Sequence, residues 1–195
     1  MASGIFYTYQ RIDPSDKVDS FTPKIFDAAI SNLLLARENI CYKQIGQIVE
    51  KLIQARHIYF YALGASAILA RDAVNKFLRL NLPVSSHDDI LIQQVFASRG
   101  NYGDVFFIIS DAEQSKETLE VAQTAKNNGS TVISLIPSNS PLADISSLSL
   151  FVDIFEFSKQ PVPVSFRIEQ LVILDVLSTG VALYNSKTIG LSYQS

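Results

Sequence analysis

The sequence predicts an α/β fold: a three-layer α/β/α sandwich around a five-stranded parallel sheet, preceded by two helices. Three observations carry this reading. From His57 onward, short apolar runs alternate with amphipathic segments, the pattern that builds β-α-β units with right-handed crossovers. Runs such as Val105-Phe106-Phe107-Ile108-Ile109 are apolar throughout, as in strands covered on both faces. Two amphipathic stretches stand ahead of the first such run.

Residues 1–21 mix Tyr, Asp, Ser and Pro and read as an irregular arm. Thr22-Pro23 pairs a capping hydroxyl with a proline at a first helical position and predicts a helix start. Ile25, Phe26, Ala29, Ile30, Leu33 and Leu34 then fall on one stripe at helical spacing. A second helix runs from about Tyr42 to Gln54, with Ile45, Ile48, Val49, Leu52 and Ile53 on one face. Residues 22–54 therefore form a helical lead-in. Strands are expected at 57–63, 82–86, 104–110, 130–136 and 148–153. Between them lie helices at 66–80, 89–98 and 115–128, and a short turn of helix after Pro141. A closing helix at 165–185 carries Phe166, Ile168, Leu171, Val172, Ile173, Leu174, Val176, Leu177, Val181 and Leu183 and has little polar face. Such a helix needs cover on most sides, more than one chain of this size supplies, so a homodimer or homotetramer is expected. The domain proper spans 55–186, followed by a tail at 187–195.

Composition narrows the function. The chain has 195 residues, 48% of them hydrophobic and 18% charged, enough to bury a real core. A net charge of -3 leaves no electrostatic footprint for nucleic acid. Its one cysteine, Cys41, excludes an intrachain disulfide and a cysteine zinc cluster, and reads as a small apolar residue near a helix start. The first residues lack a signal-peptide pattern, and the longest apolar stretch, Leu171 to Leu183, is short and holds Asp175. No membrane partner and a cytoplasmic location follow as expectations. His57 and His87 have no neighbours at metal or triad spacing, and no Gly-x-Gly-x-x-Gly pattern marks a dinucleotide. No cofactor is expected.

Two loops carry chemistry. The first strand runs into Gly64-Ala65-Ser66, and the third into Ser110-Asp111-Ala112-Glu113-Gln114-Ser115, each opening a helix. Helix N-termini present unpaired N–H groups and a positive dipole end, and hydroxyl residues there suit a phosphate. Ligands of open α/β sheets bind beyond the carboxyl ends of the strands, where both loops fall. Ser66 reads equally as a helix cap, and Ser115 as a cap for its own helix. Asp111 and Glu113 would each cost an incoming phosphate on the order of 1 kcal/mol.

The chain resembles the SIS (sugar isomerase) domain family, and within it the effector domains of RpiR/HexR-type transcription regulators. The resemblance lies in Gly64-Ala65-Ser66, in Asp72, Lys76, Phe77, Arg79, Asn81 and Pro83, and in Gly103-Asp104-Val105 with Ser110. It continues through Leu119-Glu120, Ala125, Lys126 and Gly129, Ser140-Pro141-Leu142-Ala143, and the closing helix from Arg167 through Leu183. It implies a dimeric or tetrameric phosphosugar-binding domain that is not an enzyme and is preceded, outside this chain, by a DNA-binding domain. Its ligand, a phosphorylated sugar or sugar acid, would meet Gly64, Ala65, Ser66, Ser110, Ala112, Glu113, Ser115, Asp89, Gln93 and Arg167. The family's phosphate loop is close to Ser-x-Ser-Gly-x-Thr; here Ala112 stands at the second serine, Glu113 at the glycine and Ser115 at the threonine. Ala62 stands at a usual glycine, Leu91 at a histidine and Phe166 at a serine. Losing one hydroxyl from a charged hydrogen bond removes ~1.5–3 kcal/mol, so the ligand is changed or the site degenerate. The alternatives are a phosphosugar isomerase and a scaffold that has lost its ligand.

Overall fold

A computed structural model of the chain describes residue 13 and residues 15–110, 115–153 and 164–192. Helices α1 (Val18–Asn39) and α2 (Tyr42–Gln54) lead into β1 (His57–Tyr61). A one-turn 3-10 segment (Gly64–Ser66) then opens α3 (Ala67–Leu78), followed by β2 (Val84–Ser86), α4 (Ile90–Arg99) and β3 (Asp104–Ile109). The chain continues through α5 (Lys116–Asn127), β4 (Thr131–Ile136), α6 (Leu142–Ile145), β5 (Leu148–Phe151) and α7 (Val164–Ser192). The five strands are parallel and ordered β2-β1-β3-β4-β5.

Strand alternation divides the core into two layers. Ile58, Phe60, Val105, Phe107, Ile109, Ile133, Leu135 and Leu150 face α2, α3 and α7, where they meet Ile48, Leu52, Phe77, Leu174 and Leu177. Phe106, Ile108, Val132 and Ile136 face the other way, against Ala97 of α4, Val121 and Ala125 of α5, and Leu142 of α6. Every residue of β3 is buried. Its amino end is anchored by Asp104, whose buried carboxylate accepts from Arg56 Nε at 2.9 Å, Arg56 Nη2 at 2.6 Å and the Asn101 amide at 3.0 Å. α7 crosses α2 closely at Gly180, where a Cβ would stand 2.7 Å from Val49 Cγ2.

Two expected helix ends are corrected, and the facing of the first helix is settled. The first helix starts at Val18 rather than Thr22, which shortens the expected arm. Asp16, just ahead of it, accepts hydrogen bonds from Ser20 Oγ at 2.8 Å and Lys24 Nζ at 2.7 Å, tying down the first turn. Pro23 lies inside this helix, a turn later than the position at which a missing N–H goes unnoticed. The apolar stripe of α1 does not face the core: Ile25, Phe26 and Ile30 are exposed, whereas Ser31 and Asn32 are buried. Finally, the closing helix runs on to Ser192, seven residues past the expected end.

One face of α7 is covered by its own chain, through Phe166, Ile173, Leu174, Leu177 and Val181. Val172, Val176, Leu183 and Tyr184 stay exposed. The helix thus keeps uncovered apolar surface, and so does α1, which packs beside it.

Removing the carboxylate of Asp104 leaves the Asn101 amide without its acceptor and Arg56 without its counter-ion. Asp104→Ala is expected to lower the unfolding free energy in urea by about 2–4 kcal/mol without changing the secondary structure seen by circular dichroism.

Candidate functional site

The strand order creates a switch point between β1 and β3. The chain leaves β1 toward β2 on one side and leaves β3 toward β4 on the other, which opens a crevice beyond their carboxyl ends. Gly64 and Ser66 lie at the end of β1 and Ser110 directly follows β3. Gly64 has a φ of +56°, a left-handed conformation that most side chains resist, and it turns the chain from strand into helix. Ala65 is exposed, whereas Ser66 is buried and makes no side-chain capping bond to α3. The cap alternative for Ser66 is therefore not what this turn uses.

Ser110 is nearly buried. Its amide donates to the Leu135 carbonyl at 3.2 Å, and its own carbonyl accepts from Gln170 Nε2 of α7 at 3.4 Å. Gln170 Oε1 is buried with no partner among the described residues. Ser115 caps α5: its hydroxyl accepts from the Thr118 amide at 3.2 Å and pairs with Thr118 Oγ1 at 2.9 Å. Ala112 and Glu113 lie outside the described residues.

Asp89 caps α4: one oxygen of its exposed carboxylate accepts from the amides of Leu91 at 2.8 Å and Ile92 at 3.1 Å. Gln93, one turn on, is buried; it donates to the His87 carbonyl and leaves Oε1 with no partner among the described residues. His87 stacks on Phe96 with ring centroids 4.7 Å apart, and His57 pairs with Ser85 Oγ at 2.9 Å. Tyr61, at the end of β1, keeps a buried hydroxyl, and burial pushes its pKa up to about 12. Arg167 is half-buried, one turn before Gln170 and so on the same side of α7; it makes no ion pair with any described residue.

Sequence reasoning missed Glu169. Only 3% of it is exposed, and burial, followed by the nearby Asp153 charge, pushes its pKa up to about 7. Both residues line a cavity of about 310 Å³ between α1, the end of β5 and the start of α7. Asp153 accepts the Ser138 amide at 2.7 Å. The available signal was a lone glutamate in the otherwise apolar beginning of the closing helix.

The SIS domain pattern matches residues 51–177. This chain belongs to the SIS domain family. It is 42% identical over 183 residues to the HTH-type transcriptional regulator HexR of Pseudomonas aeruginosa, covering 94% of this chain and 64% of that protein. It is 37% identical to HexR of Escherichia coli, covering 94% of this chain and 63% of that one. The chain thus spans just under two thirds of the length of these relatives. Among solved structures, the Vibrio vulnificus NanR protein complexed with ManNAc-6P matches with a TM-score of 0.76 at 24% identity, over 89% of this chain and 70% of that one. At that identity the likeness shows the fold.

The position of Glu169 has a measurable consequence. Its folded-state pKa of about 7 lies above the ordinary 4.5, so between these values the native chain holds a proton that the unfolded chain has released. The stability this confers is complete below the lower value and is lost as pH rises through the upper one. Urea unfolding across that window is expected to show a decline of about 3 kcal/mol, and Glu169→Gln should flatten it.

Proposed function

We propose that this chain is the effector-sensing and assembling domain of a RpiR/HexR-type transcription regulator. On this reading it is not itself an enzyme, works in the cytoplasm, and takes a phosphorylated sugar or sugar acid in the crevice between β1 and β3. It acts on DNA through a part of the regulator that this chain does not span. The observation that carries the proposal is the similarity to two HexR regulators across 94% of the chain.

The crevice supports it chemically. Ser66, Ser110 and the N-terminus of α5 offer donors to phosphate oxygens, and Arg167 supplies a cation that no described side chain neutralises. Ser66, Ser110, Ser115 and Gln93 bind without acting as general acids or bases near neutral pH, which suits a sensor. Glu113 and Ala112 set the affinity: a carboxylate in place of glycine opposes the phosphate charge and removes close backbone approach.

Assembly follows from the exposed apolar residues of α1 and α7. Ile25, Phe26 and Ile30 on α1 and Val172, Val176 and Leu183 on α7 are better covered by a second copy than by water, forming a homodimer or a homotetramer.

Glucose 6-phosphate or 6-phosphogluconate is expected to raise the melting temperature, with stability rising by ~2.7 kcal/mol at one hundred times the dissociation constant. Arg167→Ala should weaken this response and Glu113→Gly with Ala112→Ser should strengthen it. A silent wild type alongside a responsive double variant would instead identify a degenerate site. For assembly, light scattering after gel filtration should give a multiple of the 21.6 kDa chain mass, and Phe26→Glu with Ile30→Glu should lower it.

A further inference from the structure

Asn128-Gly129 is the only asparagine–glycine pair in the chain. In such a pair the glycine nitrogen can attack the asparagine side-chain carbonyl, because glycine has no Cβ to stand in the way. This reaction is one reason asparagine is a thermolabile residue. The pair lies between α5 and β4, at the other end of the strands from the crevice. Its surroundings decide both when the reaction occurs and what it changes.

Both reacting groups are engaged in the folded chain. Asn128 Nδ2 donates to the carbonyls of Ala97 at 3.0 Å and Ser98 at 3.2 Å, which ties the end of α5 to the last turn of α4. The Gly129 N–H, whose nitrogen is the nucleophile, donates to the Lys126 carbonyl at 3.0 Å. Gly129 holds this turn at a φ of +83°, and the Ser130 amide closes it on the Ala125 carbonyl at 3.1 Å, as helices that end on a left-handed glycine do. Ser130 Oγ donates to the Asn101 carbonyl at 3.2 Å and fastens the turn to the loop ahead of β3. Attack therefore requires Asn128 to leave α4 and the Gly129 N–H to leave Lys126. Asn128 and Gly129 are exposed, so this turn opens without unfolding the core.

We propose that Asn128-Gly129 is a site of spontaneous deamidation, gated by opening of the α4–α5 join, and that the modification breaks that join irreversibly. Hydroxide removes the Gly129 amide proton, and the nitrogen bonds to Asn128 Cγ. The Cγ–Nδ2 bond then breaks, and the departing nitrogen takes a proton from water and leaves as ammonia. Water opens the resulting cyclic imide at either carbonyl, giving aspartate or isoaspartate. Neither product keeps the Nδ2 donor, so the carbonyls of Ala97 and Ser98 lose their partner. Aspartate sets a carboxylate against them, and isoaspartate lengthens the backbone inside the capping turn. A negative charge at the end of α5 also opposes the helix dipole. This site does not rest on the phosphosugar reading of the crevice.

The test ages the whole chain in mildly alkaline buffer, folded and in urea, and follows each asparagine by peptide mass spectrometry. In urea, Asn128 is expected to convert from amide to acid ahead of every other asparagine. In the folded chain the same conversion should be about ten- to a hundredfold slower, the worth of the hydrogen bonds that open first. Ser130→Ala, which removes the tie to Asn101, should speed conversion severalfold in the folded chain and leave the rate in urea unchanged. Asn128→Asp, a direct product of the reaction, should speed amide hydrogen exchange in the last turns of α4 and α5 and leave α2 and α7 as they were. Equal rates at Asn128 in folded and unfolded chains, or another asparagine converting first in urea, would overturn the proposal. So would a folded Ser130→Ala chain that converts no faster than wild type, or an Asn128→Asp chain with unchanged exchange in α4 and α5.

Discussion

The molecule is organised around the double-sided burial of β3. A strand whose six residues are all buried cannot lie at a surface, so apolar helices must cover both faces of the sheet. That requirement sends α2, α3 and α7 to one layer and α4, α5 and α6 to the other. It also fixes where polar chemistry is possible. With both faces closed, only the strand ends open to ligands, and the amino end is occupied by Asp104 with Arg56 and Asn101. The carboxyl end is left, and there Ser110 emerges.

Much of this architecture is legible in the residues alone, because strands buried on both faces write continuous apolar runs and the helices between them write periodic ones. All five strands lie where those runs place them, with ends shifted by up to two residues, since capping and turn geometry are decided by neighbours. α1 is the instructive exception. Its stripe of Ile25, Phe26 and Ile30 has helical spacing, but spacing says only that residues share a face, not which way that face points. Buried Ser31 and Asn32 set the opposite orientation.

At the site, the positions of the loops were readable because serine and glycine after an apolar strand mark the turn into a helix. The roles of individual side chains were harder to read. Asp89 stands at a helix start, and there the same carboxylate serves a cap or a ligand equally well on sequence grounds; two backbone amides take one of its oxygens. Glu169 was invisible because its character comes from groups distant in sequence: α1 closes over it, and Asp153 lies beside it. The two ends of the carboxyl edge consequently differ in electrostatic character. The crevice near β1 and β3 pairs hydroxyls and a helix N-terminus with Arg167, while the β5 side concentrates negative charge.

The close crossing of α2 and α7 restricts how this sequence can drift. Val49 fills the space beside Gly180, with its Cγ2 2.7 Å from where a Cβ would stand, so only glycine fits there. The two positions share one volume. A larger residue at 180 requires a smaller one at 49, and shrinking Val49 alone opens a void that a glycine cannot fill. Tolerated changes at these positions are thus expected to arrive in pairs, so the history of this helix contact would be read in joint substitutions rather than in an unchanging glycine.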